Sequence, residues 1–387
     1  MDIIIGVLWG VIVLTILVAL HELGHGIVAR RNGVKVEEFG IGFPPKAKGK
    51  RVANSILGKD VDYTLNWLPL GGFVRLKGEY DDASDKGTYG ATSFWTKTKI
   101  LLAGVFVNWI TAAILFTILA WVGLPQIIPD QFTMPGDTRT EMKPVEIASV
   151  VPGLPAEKAG LKVGDRIIRF DGQRAESTEE LTNTIKGNAG ESVPVIYSRN
   201  NKEATVMVDL RTANDDQKGY LGAGLGQQQL IRSTWSAPIV GLVTTAQLTG
   251  VTIQGLGDTV AKAVMGVVGQ LNPDPAARKE ANANLAAAGN AVAGPVGIFG
   301  IIFPAAEKAG VLHMVLLTAI ISLTLAVMNI LPIPGLDGGR WFLTALFKVM
   351  KKPLTEELEA KINGIGMMIL LGLVVVITIA DIGKLTG

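Results

Sequence analysis

His21-Glu22-Leu23-Gly24-His25 puts two imidazoles and a carboxylate within five residues of a chain that holds three histidines in all. On a helix, residues four apart share a face, so His21 and His25 can turn their lone pairs toward one divalent cation. Glu22 lies beside them, where its carboxylate could take a proton from an attacking water. This spacing suits hydrolysis assisted by zinc. As a bare pattern it also arises by chance, or as a polar patch facing a protein interior. The chain has no cysteine, which excludes thiolate ligands, disulfides and a cysteine nucleophile. Catalytic zinc commonly has three protein ligands and one open position. His313 begins a later apolar stretch and suits the third place poorly. The best candidate is Asp337, within Asn329-Ile330-Leu331-Pro332-Ile333-Pro334-Gly335-Leu336-Asp337-Gly338-Gly339. Pro332 and Pro334 break a helix there, and the glycines permit a tight turn. Taken alone, Asp337 reads better as a turn aspartate capping the helix at Arg340-Trp341-Phe342. Beside the histidine pair it reads as a ligand.

The elements that must position these groups are apolar. The 387 residues are 48% hydrophobic and 18% charged, with a mean hydropathy of +0.37. Low charge with positive hydropathy predicts a membrane protein carrying some soluble mass. A net charge of +2 implies no nucleic-acid partner. Four stretches are long enough to span hydrocarbon about 30 Å thick, near residues 3–29, 100–124, 311–331 and 362–380. The first has no positive start and no small-residue cleavage site, so it reads as a span rather than a signal peptide. Arg30, Arg31 and Lys35 follow it, which predicts an outer amino terminus and a cytoplasmic loop beyond. His21 lies about 13 Å of helix before Arg30, so the motif is expected within the bilayer, where ionisable residues are costly and usually functional. The first and third spans then end in the same leaflet, which brings His25 and Asp337 together provided residues 235–270 do not cross.

Between the second and third spans, residues 144–228 alternate as strands around two short helices. Residues 145–150, 165–170, 193–197 and 204–210 suit strands, and Asp171-Gly172 suits a hairpin turn. Pro155–Gly160 and Glu179–Lys186 suit helices. Residues 235–270 mix apolar residues with Gln247, Gln254, Asp258 and Lys262, which predicts an amphipathic surface helix. Residues 273–290 read as loop or weak helix. Residues 294–304 are apolar but broken by glycine and proline, which suits a re-entrant or interfacial segment. Residues 61–78 predict a hairpin, with Tyr63, Leu65, Trp67 and Phe73 alternating. The glycines of Phe39-Gly40-Ile41-Gly42-Phe43 and the charged loop after them could shape a cytoplasmic entrance.

The His-Glu-Leu-Gly-His run, the distant Asn329-to-Gly339 run and Gly294-Pro295-Val296-Gly297, in this order, resemble the site-2 proteases, and most closely their bacterial RseP-type branch. The resemblance covers nearly the whole chain. It implies a polytopic α-helical membrane protein with four transmembrane helices and a membrane-associated β-hairpin, plus one α/β PDZ-like domain. The expected divisions are 1–31, the first transmembrane helix with the zinc motif; 32–98, a cytoplasmic or membrane-dipping hairpin region; 99–125, the second helix; 144–228, the PDZ-like domain; 235–305, amphipathic or interfacial segments; 311–350, the third helix with the Leu-Asp-Gly-Gly turn; and 358–383, the fourth helix. By the same resemblance, one zinc ion is held by His21, His25 and Asp337, Glu22 is the general base, and Asn329 holds substrate backbone. A β-loop around Gly71, Gly72 and Phe73 would pair an extended substrate as an added strand. Tyr220, Leu221 and Gly222 fall where a PDZ carboxylate-binding loop belongs, and equally suit an ordinary strand with a glycine turn.

The implied activity is hydrolysis of peptide bonds within the transmembrane segments of single-span proteins, such as anti-sigma factors and remnant signal peptides. An upstream site-1-type protease would cut first. The implied location is the bacterial cytoplasmic membrane, with the amino terminus and PDZ-like domain outside and the zinc site toward the cytoplasm. The chain has room for one PDZ domain, whereas the best-studied proteobacterial members carry two, which leaves the signalling pathway open. Three competing classes are a metal transporter, an inactive scaffold that binds tails through its PDZ-like domain, and an anchored protease working outside the bilayer. A transporter predicts repeated broken helices, decayed ligands would favour the scaffold, and the depth of the motif opposes the third.

Overall fold

Apolar residues run from Ile3 to Leu20, and no proline occurs before Pro44. Helix α1 (Asp2–Arg31) takes up this whole stretch, with Arg30 and Arg31 in its last turn, at the negative end of the helix dipole. The computed structural model describes residues 2–80, 83–199 and 201–386. After α1 the chain forms two long strands, β1 (Val36–Ser55) and β2 (Gly58–Leu76), which fold back on themselves. Residues 38–41 of β1 pair with residues 72–75 on one side and 62–65 on the other, while residues 46–54 pair with 59–66. The pairing is therefore wider than a hairpin within 61–78, and the charged stretch after Phe43, expected as a loop, continues in strand β1 with Phe39–Phe43. Close approach explains this. A side chain at Gly40 would meet the Phe73 ring, and Gly42, at φ +77°, lies against the Leu68 carbonyl. Gly26 brings α1 against Leu57 and Val74 of this sheet.

The next helix, α2 (Phe94–Val122), lies against α1, where Gly24 faces the Ala103 carbonyl and Val107. The chain separates into two compact units, one of residues 120–237 and the other of residues 1–119 with 238–387. The first of these contains β3 (Leu124–Pro125), β4 (Arg139–Met142), β5 (Glu146–Val150), α3 (Pro155–Lys158), β6 (Arg166–Phe170) and β7 (Gln173–Arg174). It continues with α4 (Thr178–Gly187), β8 (Ser192–Arg199), β9 (Lys202–Asp209), β10 (Ala223–Gly226) and β11 (Gln229–Arg232). The main sheet runs in the order β10-β5-β6-β8-β9, with β7 paired to β6, so β10 is an edge strand. Asp171 and Gly172, both at positive φ, turn β6 into β7 as their types predict. Val145, Ile147, Phe170, Leu181 and Val195 form the core. Helix α4 is capped by Ser177, whose side chain accepts from Glu180 N–H. Strands β5, β6, β8 and β9 and helices α3 and α4 are those that the residue pattern predicts; β3, β4, β10 and β11 are further strands.

Strand β11 also joins β3 and β4 in a small sheet that leads to Thr234–Ser236. The Asp137 carboxylate gathers that corner, accepting from both backbone N–H groups and both hydroxyls of Thr234 and Ser236. The Ser236 and Thr234 hydroxyls hold its pKa down at about 2. A carboxyl whose pKa is depressed on folding contributes stability above its unfolded value of 3.8, and this is lost as pH falls through about 2. Amide hydrogen exchange at residues 233–237 is therefore expected to quicken between pH 4 and pH 2, beyond the intrinsic pH effect. Asp137→Ala should already show fast exchange there at pH 7. Equal protection in variant and wild type at pH 7 would mean that Asp137 does not hold the corner.

The remaining helices are α5 (Ala237–Gly269), α6 (Pro275–Ala291), α7 (Pro295–Gly297), α8 (Phe303–Ala309), α9 (Val311–Ile330), α10 (Asp337–Val349) and α11 (Glu356–Thr386), with a π-helical turn at Ile298–Ile302 between α7 and α8. Among the described residues, five helices are long and apolar enough to cross a membrane: α1, α2, α5, α9 and α11. Residues 275–291 and 295–309 pass the same test as a pair bent by 46°. The chain is thus a multi-pass membrane protein, but the expected count of four spans is not what length and composition support. The stretch 235–270, expected at the membrane surface, is a continuous helix whose only charged residues are Asp258 and Lys262. Its hydroxyls need no water, because Thr245, Thr249 and Thr259 each donate to the carbonyl four residues back. It packs on α2, where Gly241 meets Thr117 and the Trp109 indole donates to Thr249 at 3.0 Å. Residues 275–291, read as loop or weak helix, are a helix capped by Asp274. Near the end of α11, the buried Asp381 accepts from Gly297 N–H at 2.8 Å, which ties the Gly-Pro-Val-Gly kink to the last helix.

Candidate metal centre

Near the end of α1, His21 and His25 lie one turn apart on one face, both buried. Their Nε2 atoms stand 3.1 Å apart. Asp337 reaches them from 316 residues away in sequence, its Oδ2 lying 2.9 Å from His21 Nε2 and 3.2 Å from His25 Nε2. The turn that delivers Asp337 is built by glycine. Gly335 has φ +96°, and side chains at Gly338 and Gly339 would fall on the carbonyls of Ile330 and Ile333. Asp337 then opens α10. Three residues on, the Arg340 guanidinium donates to Glu359 at 2.7 Å and to the Glu79 carbonyl, and the Trp341 indole donates to Thr98 at 3.0 Å. These bonds anchor the helix that carries Asp337.

Two imidazoles and a carboxylate are a common zinc donor set, and bonds of about 2.0–2.2 Å at a tetrahedral centre put ligand atoms about 3.3–3.5 Å apart. The triangle of nitrogen and oxygen atoms here is close to that size. His25 Nδ1 lies 2.7 Å from the Ile100 carbonyl. A carbonyl only accepts, so the hydrogen of the neutral ring sits on Nδ1 and the Nε2 lone pair faces the triangle. Glu22 is within the same cluster, and its Oε2 accepts from Val74 N–H of β2 at 3.0 Å. The residues expected to act in catalysis and metal binding are thus together.

The expected substrate-contacting residues fare unevenly. Gly71, Gly72 and Phe73 immediately precede Val74, so they lie on the strand that meets Glu22; Gly72 and Phe73 pair with Ile41 and Gly40 of β1. The Asn329 amide donates to its own helix at Leu325 O, 3.0 Å away, and no bond from it to the cluster is seen among the described residues. Tyr220 and Leu221 line a cavity of about 560 Å³ together with Thr178, Thr182 and Ile185 of α4 and the edge strand β10. Gly222 flanks it at φ +71°, packed on Leu154. The carbonyls of Tyr220, Leu221 and Gly222 accept from Arg211, Ala156 and Val151 N–H.

Two residues of α2 belong to the centre and escape the sequence reading. A Cβ at Gly104 would lie 2.5 Å from His25 Nε2 and 2.6 Å from His21 Nε2, so only glycine lets α2 close on the site. One turn later, the buried Asn108 puts Nδ2 3.4 Å from His21 Nδ1. The available signal was an amide inside an apolar span, four residues after a glycine.

The family model for peptidase family M50 matches residues 9–373, a stretch that includes both motifs. The zinc metalloprotease RasP of Geobacillus kaustophilus is 27% identical, covering 97% of this chain and 97% of that protein. The regulator of sigma-W protease RasP of Bacillus subtilis is 26% identical, with 97% of each chain covered. Among solved structures, the PDZ domain of an SdrC-like protein from Listeria monocytogenes is 27% identical, covers 24% of this chain and 93% of that chain, and has a TM-score of 0.19. The family match and the full-length relatives agree with the donor set at the end of α1: this chain belongs to peptidase family M50, the site-2 proteases, and is a zinc metalloprotease.

Proposed function

We propose that this protease hydrolyses peptide bonds within the transmembrane segments of single-span membrane proteins. The observation that carries the reading is the meeting of Asp337, which follows the end of α9, with His21 and His25 of α1, both α1 and α9 being apolar enough to cross a bilayer. In this reading His21, His25 and Asp337 hold one zinc ion, and Glu22 is the general base. Zinc, when bound, supplies Lewis acidity at the scissile carbonyl and to the attacking water. Glu22 takes the water's proton and delivers it to the leaving amide nitrogen. The Val74 N–H orients Glu22 for both transfers. A helical substrate hides its carbonyls in its own hydrogen bonds, so it must unwind to react. The strand segment Gly71-Gly72-Phe73 would hold the unwound chain as an added strand beside Glu22, and Asn329 would turn its amide from Leu325 to substrate backbone.

Arg30 and Arg31 in the last turn of α1 and Lys35 after it support placement in the bacterial cytoplasmic membrane with the amino terminus and the PDZ-like domain outside and the zinc site toward the cytoplasm. With α5 as a span, the bent pair of residues 275–309 acts as the returning span, so α9 still delivers Asp337 to the leaflet of His25. The groove beside β10, with Tyr220, Leu221 and Gly222 at one end, suits an extended chain end and its carboxylate. Substrates shortened by an upstream site-1-type protease would offer such ends. The Bacillus relative's name, a regulator of sigma-W, supports anti-sigma factors as one substrate class; remnant signal peptides are another.

The test is cleavage of a tagged single-span protein by the purified full chain in detergent, with the cut mapped by mass spectrometry. The expected cut falls inside the apolar segment and disappears with a zinc chelator. Cuts confined to the flanking polar residues would overturn the intramembrane reading.

A further inference from the structure

His25 owes its tautomer to a main-chain carbonyl, and His21 must owe its own to something else. The neighbour of His21 Nδ1 is Asn108, which is 1% exposed and fixed on α2, its main-chain carbonyl accepting from the Ser322 hydroxyl at 2.8 Å. As placed, Asn108 turns Nδ2 toward Nδ1, while its Oδ1 is buried and accepts no hydrogen bond. This placement conflicts with metal binding. An N–H aimed at Nδ1 requires a lone pair there, which puts the ring hydrogen of neutral His21 on Nε2, the atom facing His25 and Asp337. Turning the terminal amide by half a revolution exchanges oxygen and nitrogen while the shape is almost unchanged. Oδ1 then accepts Nδ1–H, the buried oxygen gains the partner that it lacks, and the Nε2 lone pair turns to the metal position.

We infer that Asn108 is a positioning residue for the zinc centre: its Oδ1 accepts the Nδ1 hydrogen of His21 and thereby selects the tautomer that binds metal. This rests on His21 being a zinc ligand. The two histidines are then held alike, each through Nδ1–H to an oxygen, with Ile100 C=O serving His25 and Asn108 serving His21. They differ in that the acceptor of His25 is backbone, whereas that of His21 can be removed by substitution. Gly104, one turn earlier on the same face, lets α2 come close enough for this contact.

The test is zinc affinity of the full chain in detergent, read by competition with a chromogenic chelator, for wild type, Asn108→Leu, Asn108→Asp and His21→Ala. Asn108→Leu removes the acceptor and is expected to weaken zinc about 10–100-fold. Asn108→Asp keeps an acceptor oxygen and is expected to hold zinc within about threefold of wild type. The visible spectrum of the cobalt-substituted protein should follow the same order, changed in Asn108→Leu and preserved in Asn108→Asp. Where Asn108→Leu does not fold, Asn108→Ala takes its place. Wild-type affinity in the Leu or Ala variant would overturn the inference, as would an Asp variant as weak as either, since a carboxylate keeps the acceptor and loses only the donor. Unchanged affinity in His21→Ala would instead overturn the ligand assignment on which the inference stands.

Discussion

Glu22→Gln is expected to lower cleavage of a single-span substrate by about 10²–10⁴-fold, the usual contribution of a positioned general base, while bound zinc stays at the wild-type level. The substitution keeps the shape of the side chain, and its amide oxygen can still accept from Val74 N–H, the bond that holds Glu22 in place. What is lost is the ability to take and return a proton. None of the three proposed zinc ligands is altered, so metal content separates this outcome from collapse of the site. A variant that kept a tenth or more of the wild-type rate would assign the base to another group.

Gly104→Ala is expected to abolish cleavage by a different route, with bound zinc falling at least about tenfold. The added methyl would lie 2.5 Å from His25 Nε2 and 2.6 Å from His21 Nε2, well inside the about 3.5–4.0 Å separation of non-bonded heavy atoms. The rings cannot simply retreat. His25 is tied to Ile100 at 2.7 Å, and α1 already meets the α2 backbone through Gly24. The helices must part or the imidazoles must leave the triangle, and either breaks the donor set. Gly250→Ala on α5 is the control, because a Cβ there has nothing within 4 Å. Zinc content measured by mass spectrometry on both purified variants distinguishes them. Wild-type zinc in Gly104→Ala would show that α2 does not close on the metal as described.

The centre was legible wherever chemistry and spacing are local. His21, Glu22 and His25 declare themselves by helical periodicity, and Asp337 by the proline and glycine run that breaks a span. Gly104 and Asn108 were not legible, because their roles depend on which face of α2 meets α1, and an apolar helix with no polar side hides that choice. The Asn329 amide bond to Leu325 was hidden in the same way. Residues 235–270 read as a surface helix because Gln247, Gln254, Asp258 and Lys262 interrupt the apolar run, whereas the helix they form is long and apolar enough to cross a membrane, and Thr245, Thr249 and Thr259 bond to their own helix. The strand over residues 36–55 was missed because its partners lie at two separate places in β2, which no hairpin rule anticipates. In residues 144–228, period-two alternation and turn residues marked the strands well, since each strand buries one face on a single core.

In the proposed reading, two motifs distant in the chain build one zinc site, His21 and His25 on the spanning helix α1 and Asp337 just past the spanning helix α9. This is tested most directly by zinc-edge X-ray absorption on the purified full chain beside Asp337→Ala. The expected first shell, at about 2.0–2.2 Å, contains two imidazole nitrogens and a carboxylate oxygen, with the variant losing either that oxygen or the metal. A wild-type protein that binds no zinc, or a spectrum and zinc content unchanged by Asp337→Ala, would contradict it.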